Sequence, residues 1–175
     1  MNHLLALHFF RGLKNRQKKA LFLSSEWQKS GPQAALSAQF RQISDGERLW
    51  EEAMQKSVEE EQICQREGIQ IVTIDDVNNF PNLLTELPDP PMALFGRGSW
   101  NNNRIPLSIV GTRKATTYGL GQVKLMVNHL SQFPVSIISG LAMGIDTRAH
   151  ESALACGAHT CAFLAGGLQT ISPSQ

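Results

Sequence analysis

Between residues 105 and 165 the chain alternates apolar strand-like runs with helical ones, and this order constrains the fold more than any other feature. IPLSIVG begins at Ile105, VSIIS at Val135 and HTCAFLA at His159. Helical spacing occupies Thr117 to about Leu130 and Ile145 to Cys156. Strands that are apolar almost throughout belong to a parallel sheet, and parallel neighbours need crossover helices between them. The order therefore predicts a right-handed parallel β-α-β-α-β unit.

The residues before it have a different character. Residues 3 to about 67 read as helical, with Leu4, Leu5, Leu7 and Phe9 opening an amphipathic face that resumes at Leu13, Ala20, Leu21 and Phe22 after Gly12. From Asp45 to about Glu67, Leu49, Trp50, Ala53, Met54, Val58 and Ile63 recur at helical spacing. Ser44 and Glu47 form an S-x-x-E pattern that predicts a capping box, and Gly68 supplies the stop. IQIVTI then reads as a strand. Pro81, Pro88, Pro90 and Pro91 impose an extended connector, and MALF offers a second short strand. The expected division is a small helical domain over 1–66, a strand and connector over 67–104, and the α/β unit over 105–175.

Charge divides along the same line. Residues 1–100 hold 11 Lys or Arg and 13 Asp or Glu, a net of −2, whereas residues 101–175 hold 5 and 2, a net of +3. The second segment also carries 8 of the 14 glycines, which marks it as the place for an anion site. The total of +1 excludes a global field drawing the protein to nucleic acid or membrane. Three cysteines without a CxxC pair argue against a disulfide framework or a zinc ribbon. No run reaches the roughly 18 apolar residues of a membrane span. The first apolar run precedes its basic cluster, the reverse of a secretory signal, so a cytoplasmic protein is expected.

Each strand of the α/β unit ends in small residues: Gly111-Thr112-Arg113, Ser139-Gly140-Leu141-Ala142-Met143-Gly144, and Ala165-Gly166-Gly167-Leu168. The carboxyl ends of parallel strands share one edge, where α/β folds bind ligands. Glycine admits a ligand close to the backbone, and a following helix offers free N–H groups. Arg113 adds a planar donor fork suited to phosphate, with Lys114 beside it. Neither G-x-G-x-x-G nor G-x-x-x-x-G-K-[ST] is present, which disfavours ordinary dinucleotide binding and P-loop hydrolysis.

Other candidates have plainer readings. Asp146 and His150 lie four apart on one helix, but two ligands do not close a metal site, and Asp146 stands where an N-cap would. Ser139 lies outside any G-x-S-x-G pattern and is expected to offer its hydroxyl to a ligand oxygen instead of acting as a nucleophile. The run Glu59-Glu60-Glu61 reads as a solvated helix face. The basic run Arg11, Lys14, Arg16, Lys18 and Lys19 fits either a solvated helix or a nucleic-acid backbone contact.

SIVGTRKATTYG (108–119), SGLAMGIDTRAHESAL (139–154) and the glycine pair of AGGL together resemble the DNA-processing protein A family, DprA or Smf. GIQIVTIDD and FPNLLTELPDPPMALFGRGSW fit the strand and the Y-P-x-x-L-x-x-i-x-D-P-P segment upstream in that family. The resemblance spans about residues 67–173, and residues 1–66 stand where many members carry a small helical SAM-like domain. It implies an α/β protein with that domain ahead of a Rossmann-like parallel unit. It further implies a non-enzyme, without cofactor or metal, that binds single-stranded DNA irrespective of sequence. Such members protect incoming strands in natural transformation and recombination and help load the RecA recombinase; a homodimer is implied for the full-length protein. The phosphate-binding residues so implied are Gly111, Thr112, Arg113, Lys114, Ser139, Gly140, Gly144, Gly166 and Gly167.

The sequence also departs from the family. Gln169 and Ser172 replace the acid and tyrosine of G-L-D-x-x-Y-P, Phe80 replaces the first tyrosine, and Gly12-Leu13-Lys14 lacks the G-[IL]-G turn. The chain is expected to stop midway through the family's sheet, before its F-x-x-R-N-R segment, and so to expose an unpaired edge that favours association. Two other readings compete. One is a small-nucleotide sensor or nucleoside-monophosphate hydrolase, whose P-G-G-x-G-T-x-x-E glutamate has no counterpart after Leu168-Gln169-Thr170. The other is a protein-interaction scaffold.

Overall fold

The computed structural model describes residues 2–169, in two compact units that divide between Ser99 and Trp100. The first unit contains α1 (His3–Phe9), α2 (Asn15–Phe22), α3 (Ser25–Ser30), α4 (Pro32–Phe40), α5 (Gly46–Glu67), β1 (Gln70–Thr73), α6 (Asn82–Thr85) and β2 (Ala93–Gly96). Leu4, Leu5, Ala6 and Leu7 are all buried, so α1 is enclosed on every side instead of being amphipathic. It packs against α5, α2 and β2. β1 and β2 pair antiparallel, with Gln70 opposite Gly96 and Thr73 opposite Ala93. Ile74, Phe80 and Met92 join Leu7, Phe10 and Trp50 in one core. The strand pair and its connector thus share the core of the helices, and the compact unit runs well past residue 66.

Two local expectations need correction. The Ser44–Glu47 capping box does not form. The N-cap is Asp45, in the left-handed region at φ 56°, whereas a capping box needs an extended N-cap. The chain reaches α5 through a tight turn in which Gly46 N–H donates to Ile43 O. A Cβ on Gly46 would lie 2.9 Å from Phe40 Cα, so the close approach fixes glycine there. The connector, expected to be extended, holds the short helix α6, with Pro81 at its N-cap, where no backbone N–H is required. At the other end of α5, Gly68 terminates the helix at φ 63°, and its N–H donates to Cys64 O.

The basic run near the N-terminus divides. Lys18 and Lys19 donate to His8 O and Thr85 O, while Arg11, Lys14 and Arg16 are exposed. Burial pushes the Lys18 amine down to about 8, opposed by Asp89. His8 is pushed down to about 4 by its own burial, helped by Lys18 and Lys56.

The second unit contains β3 (Ile105–Ser108), α7 (Thr117–Leu130), β4 (Val135–Ser139), α8 (Ile145–Ala155) and β5 (His159–Ala162). The strands lie in the order β3-β4-β5, parallel throughout, with Ile105 beside Val135 and Ser139 beside Ala162. Leu107, Ile109, Val135 and Ile137 pack on Val123 and Val127 of α7 and on Ala149 and Ala153 of α8. Four small or β-branched residues on the two helices let them lie close to the sheet. β4 is the buried strand, whereas Ile105 on β3 is 64% exposed. Among the described residues no helix is long and apolar enough to cross a membrane.

Candidate functional site

The carboxyl ends of β3 and β4 are drawn together by the first turn of α8. Ile145 N–H donates to Thr112 O at 3.2 Å. Gly144 presses its backbone on the same loop: a Cβ there would lie 2.3 Å from Thr112 O and 2.8 Å from Arg113 O. Gly144 also stands at φ 89° and ψ −121°, a conformation closed to ordinary side chains. Gly111 lies against Ile145, whose side-chain carbon would be 2.7 Å from an added Cβ. These glycines serve the close packing of two loops on one helix end. Leu141, between them, takes a left-handed φ of 56° without being glycine, so the second loop carries local strain.

Asp146 sits at the centre of this arrangement. It is the second residue of α8, and the N-cap is Gly144, so the N-cap role expected for Asp146 is not the one it has. Its carboxylate accepts from Gly111 N–H at 3.3 Å and from Gly140 N–H at 3.1 Å, one from each loop. It is 6% exposed. A carboxylate in the first turn is also favoured by the helix dipole. Two backbone donors that the glycine pattern suggested for a ligand are therefore engaged by the protein's own anion.

Ser139 also turns inward. Its hydroxyl donates to Ile109 O at 2.6 Å in a buried setting, and its carbonyl accepts from Phe163 N–H at 2.9 Å. The expected offer of this hydroxyl to a ligand is thus replaced by a tie between β3, β4 and the end of β5. Thr112 Oγ1 accepts from Lys114 N–H at 3.2 Å, which turns the chain just where the two basic side chains emerge. Arg113 and Lys114 are both exposed, and among the described residues no acidic side chain forms an ion pair with either. Gly166 and Gly167, past the end of β5, are exposed, with open space where a Cβ would stand. Ser172 lies outside the described residues.

His150, one turn beyond Asp146, belongs to the interior. Thr160 Oγ1 donates its single proton to Ile137 O at 2.9 Å, so its 2.7 Å contact with His150 makes Nδ1 the donor. Burial lowers the imidazole's pKa, opposed by the nearby Asp146 carboxylate. The ring ties α8 to β5 and leaves the strand ends to other groups. The role of Asp146 was the residue-level feature missed in the sequence. Its signal was a carboxylate two residues after a glycine at a helix start, with glycines ending both preceding strands.

A parallel sheet with its basic loop at the carboxyl edge, joined to a separate helical unit, defines a Rossmann-like α/β protein built to meet an anion. The family model for DNA recombination-mediator protein A matches residues 70–175, and the chain belongs to that family. Protein Smf of Synechocystis is 38% identical over 116 residues, covering 63% of this chain and 29% of that protein. DNA processing protein A of Streptococcus pneumoniae shares the fold at a TM-score of 0.74 with 23% identity, over 99% of this chain and 61% of that one. The Helicobacter pylori protein, described for its single-stranded DNA binding mode, superposes at a TM-score of 0.51 with 28% identity, over 60% of this chain and 47% of its own. The chain thus spans less than two thirds of the length of each of these relatives.

Proposed function

We propose that this chain binds single-stranded DNA without reading its sequence, holding phosphates at the edge formed by Arg113, Lys114, Gly166 and Gly167. The observation that carries the proposal is the pair of exposed cations on a loop clamped to α8, with no acidic partner among the described residues. Such cations lose no existing ion pair when a phosphate arrives, and a clamped loop loses little entropy on binding. The single-strand binding of the Helicobacter pylori relative supports the choice of polyanion. Gly111, Thr112, Ser139, Gly140 and Gly144 act beneath this edge by fixing the loops. Bases stay largely unread, because the contacts are to phosphate alone.

The strand so held is protected and passed to RecA in natural transformation, with no catalytic step and no cofactor, by a cytoplasmic protein that is a dimer at full length. Fluorescence anisotropy of labelled oligo-dT at two salt concentrations, with duplex DNA and ATP as competitors, tests the binding. Salt-sensitive association that resists ATP is expected. Displacement by ATP would point to a small-nucleotide site, and no binding by the folded chain would remove the proposal. RecA-dependent ATP hydrolysis on strands precoated with single-strand-binding protein tests the delivery step.

A further inference from the structure

We infer that Asp146 is a positioning residue for this edge: its carboxylate is an internal anion that takes the backbone donors of both loops and so sets where Arg113 and Lys114 stand. The inference rests on the proposed single-strand site, and it adds how that site is held. Gly111 and Gly140 end two different strands, 29 residues apart in sequence, yet each directs its N–H to one carboxylate. One oxygen serves each loop, Oδ1 for Gly111 and Oδ2 for Gly140, so neither bond can be kept by a group with a single acceptor. Arg113 is two residues beyond the first donor, and the intervening Thr112 is fixed to the same helix turn by Ile145 N–H.

The arrangement has a consequence for ligand chemistry. Two converging N–H groups at a helix start would otherwise form a small anion nest. With the carboxylate in place the nest is full, and its negative charge lies under the loop. A strand phosphate is therefore met by the side chains of Arg113 and Lys114 and not by the amides of Gly111 and Gly140. An amide side chain cannot substitute, since one of its two atoms is a donor facing a donor.

The test is chemical rescue. Asp146→Ala should bind oligo-dT on the order of tenfold more weakly than the parent chain, the scale of one lost charge-assisted hydrogen bond. Sodium formate should restore much of that loss relative to sodium chloride at equal ionic strength, because formate carries the same two oxygens. Binding that is unchanged or tighter in a folded Asp146→Ala protein would overturn the inference, as would a loss that formate does not repair. Should Asp146→Ala fail to fold, amide exchange in the unsubstituted chain decides. Gly111 and Gly140 should exchange well over tenfold more slowly than Gly166 and Gly167, and equal rates for all four would refute the bonding itself. Because this measurement involves no DNA, it separates failure of the positioning role from failure of the binding proposal.

Discussion

Replacing Gly144 with alanine tests the packing of the two loops directly. The residue stands at φ 89° and ψ −121°, and a Cβ would lie 2.3 Å from Thr112 O, 2.8 Å from Arg113 O and 2.9 Å from Arg113 C. All three atoms are backbone, so no side-chain rotation relieves the contact. The disfavoured backbone costs about 1–3 kcal/mol. Forcing the 112–113 segment away from α8 costs a similar about 1–3 kcal/mol of overpacking. A loss of about 3–5 kcal/mol is expected, a large share of the roughly 5–15 kcal/mol that holds an ordinary domain. At roughly 4–8 °C per kcal/mol for a unit of this size, the melting temperature should fall by more than about 10 °C. Urea unfolding followed by circular dichroism measures it, fitted with two transitions because the chain has two units. Gly166→Ala is the matched control: its Cβ meets nothing, and the change should stay within about 0.5 kcal/mol. A Gly144→Ala protein as stable as that control would refute the packing argument.

Three further outcomes are expected. Arg113→Ala should weaken oligo-dT binding by about 1–3 kcal/mol in the anisotropy assay, and should reduce the slope of log affinity against log salt by about 0.7. Ser139→Ala removes the buried donor to Ile109 O and should cost about 1–2 kcal/mol of urea stability, while oligo-dT affinity changes less than in Arg113→Ala. His8, edge-on to Phe9 and Phe95, has a pKa depressed from 6.5 to about 4, so the folded state binds fewer protons than the unfolded one in that window. Its contribution to stability is complete above pH 6.5 and is lost as pH falls towards 4, by up to about 3 kcal/mol, and pH-dependent urea unfolding should show a smaller decline in His8→Phe.

The order of elements in the second unit was legible because its signals are local and repeated. Thr117–Leu130 and Val135–Ser139 fall where helical spacing and an apolar run place them. β3 ends earlier than the apolar run suggests, at Ser108, because Ile109 turns into the core and its carbonyl takes the Ser139 hydroxyl. The first unit was less legible. The burial of α1 on all sides depends on β2, more than eighty residues away, and no local pattern carries that pairing. The start of α5 shifted for a different reason: the S-x-x-E pattern was outweighed by the close passage of Gly46 over Phe40.

The glycines show why a site is harder to read than a fold. In sequence, glycine after a strand has two meanings, a backbone opened to a ligand or a backbone pressed against another part of the chain. Gly111 and Gly144 take the second meaning, with side-chain and backbone atoms already inside the space of a Cβ. Gly140 is held by Asp146, whose Oδ2 would be 3.1 Å from its Cβ, while Gly166 and Gly167 have nothing near. What separates the two meanings is a partner atom contributed by another segment: Ile145 for Gly111, Thr112 for Gly144 and Asp146 for Gly140. Two of these partners stand side by side in G-I-D, a glycine followed by a branched residue and an acid at a helix start. That tripeptide carries both the wedge and the anion, so a single helix turn organises two strand ends and leaves Arg113 and Lys114 to face outward.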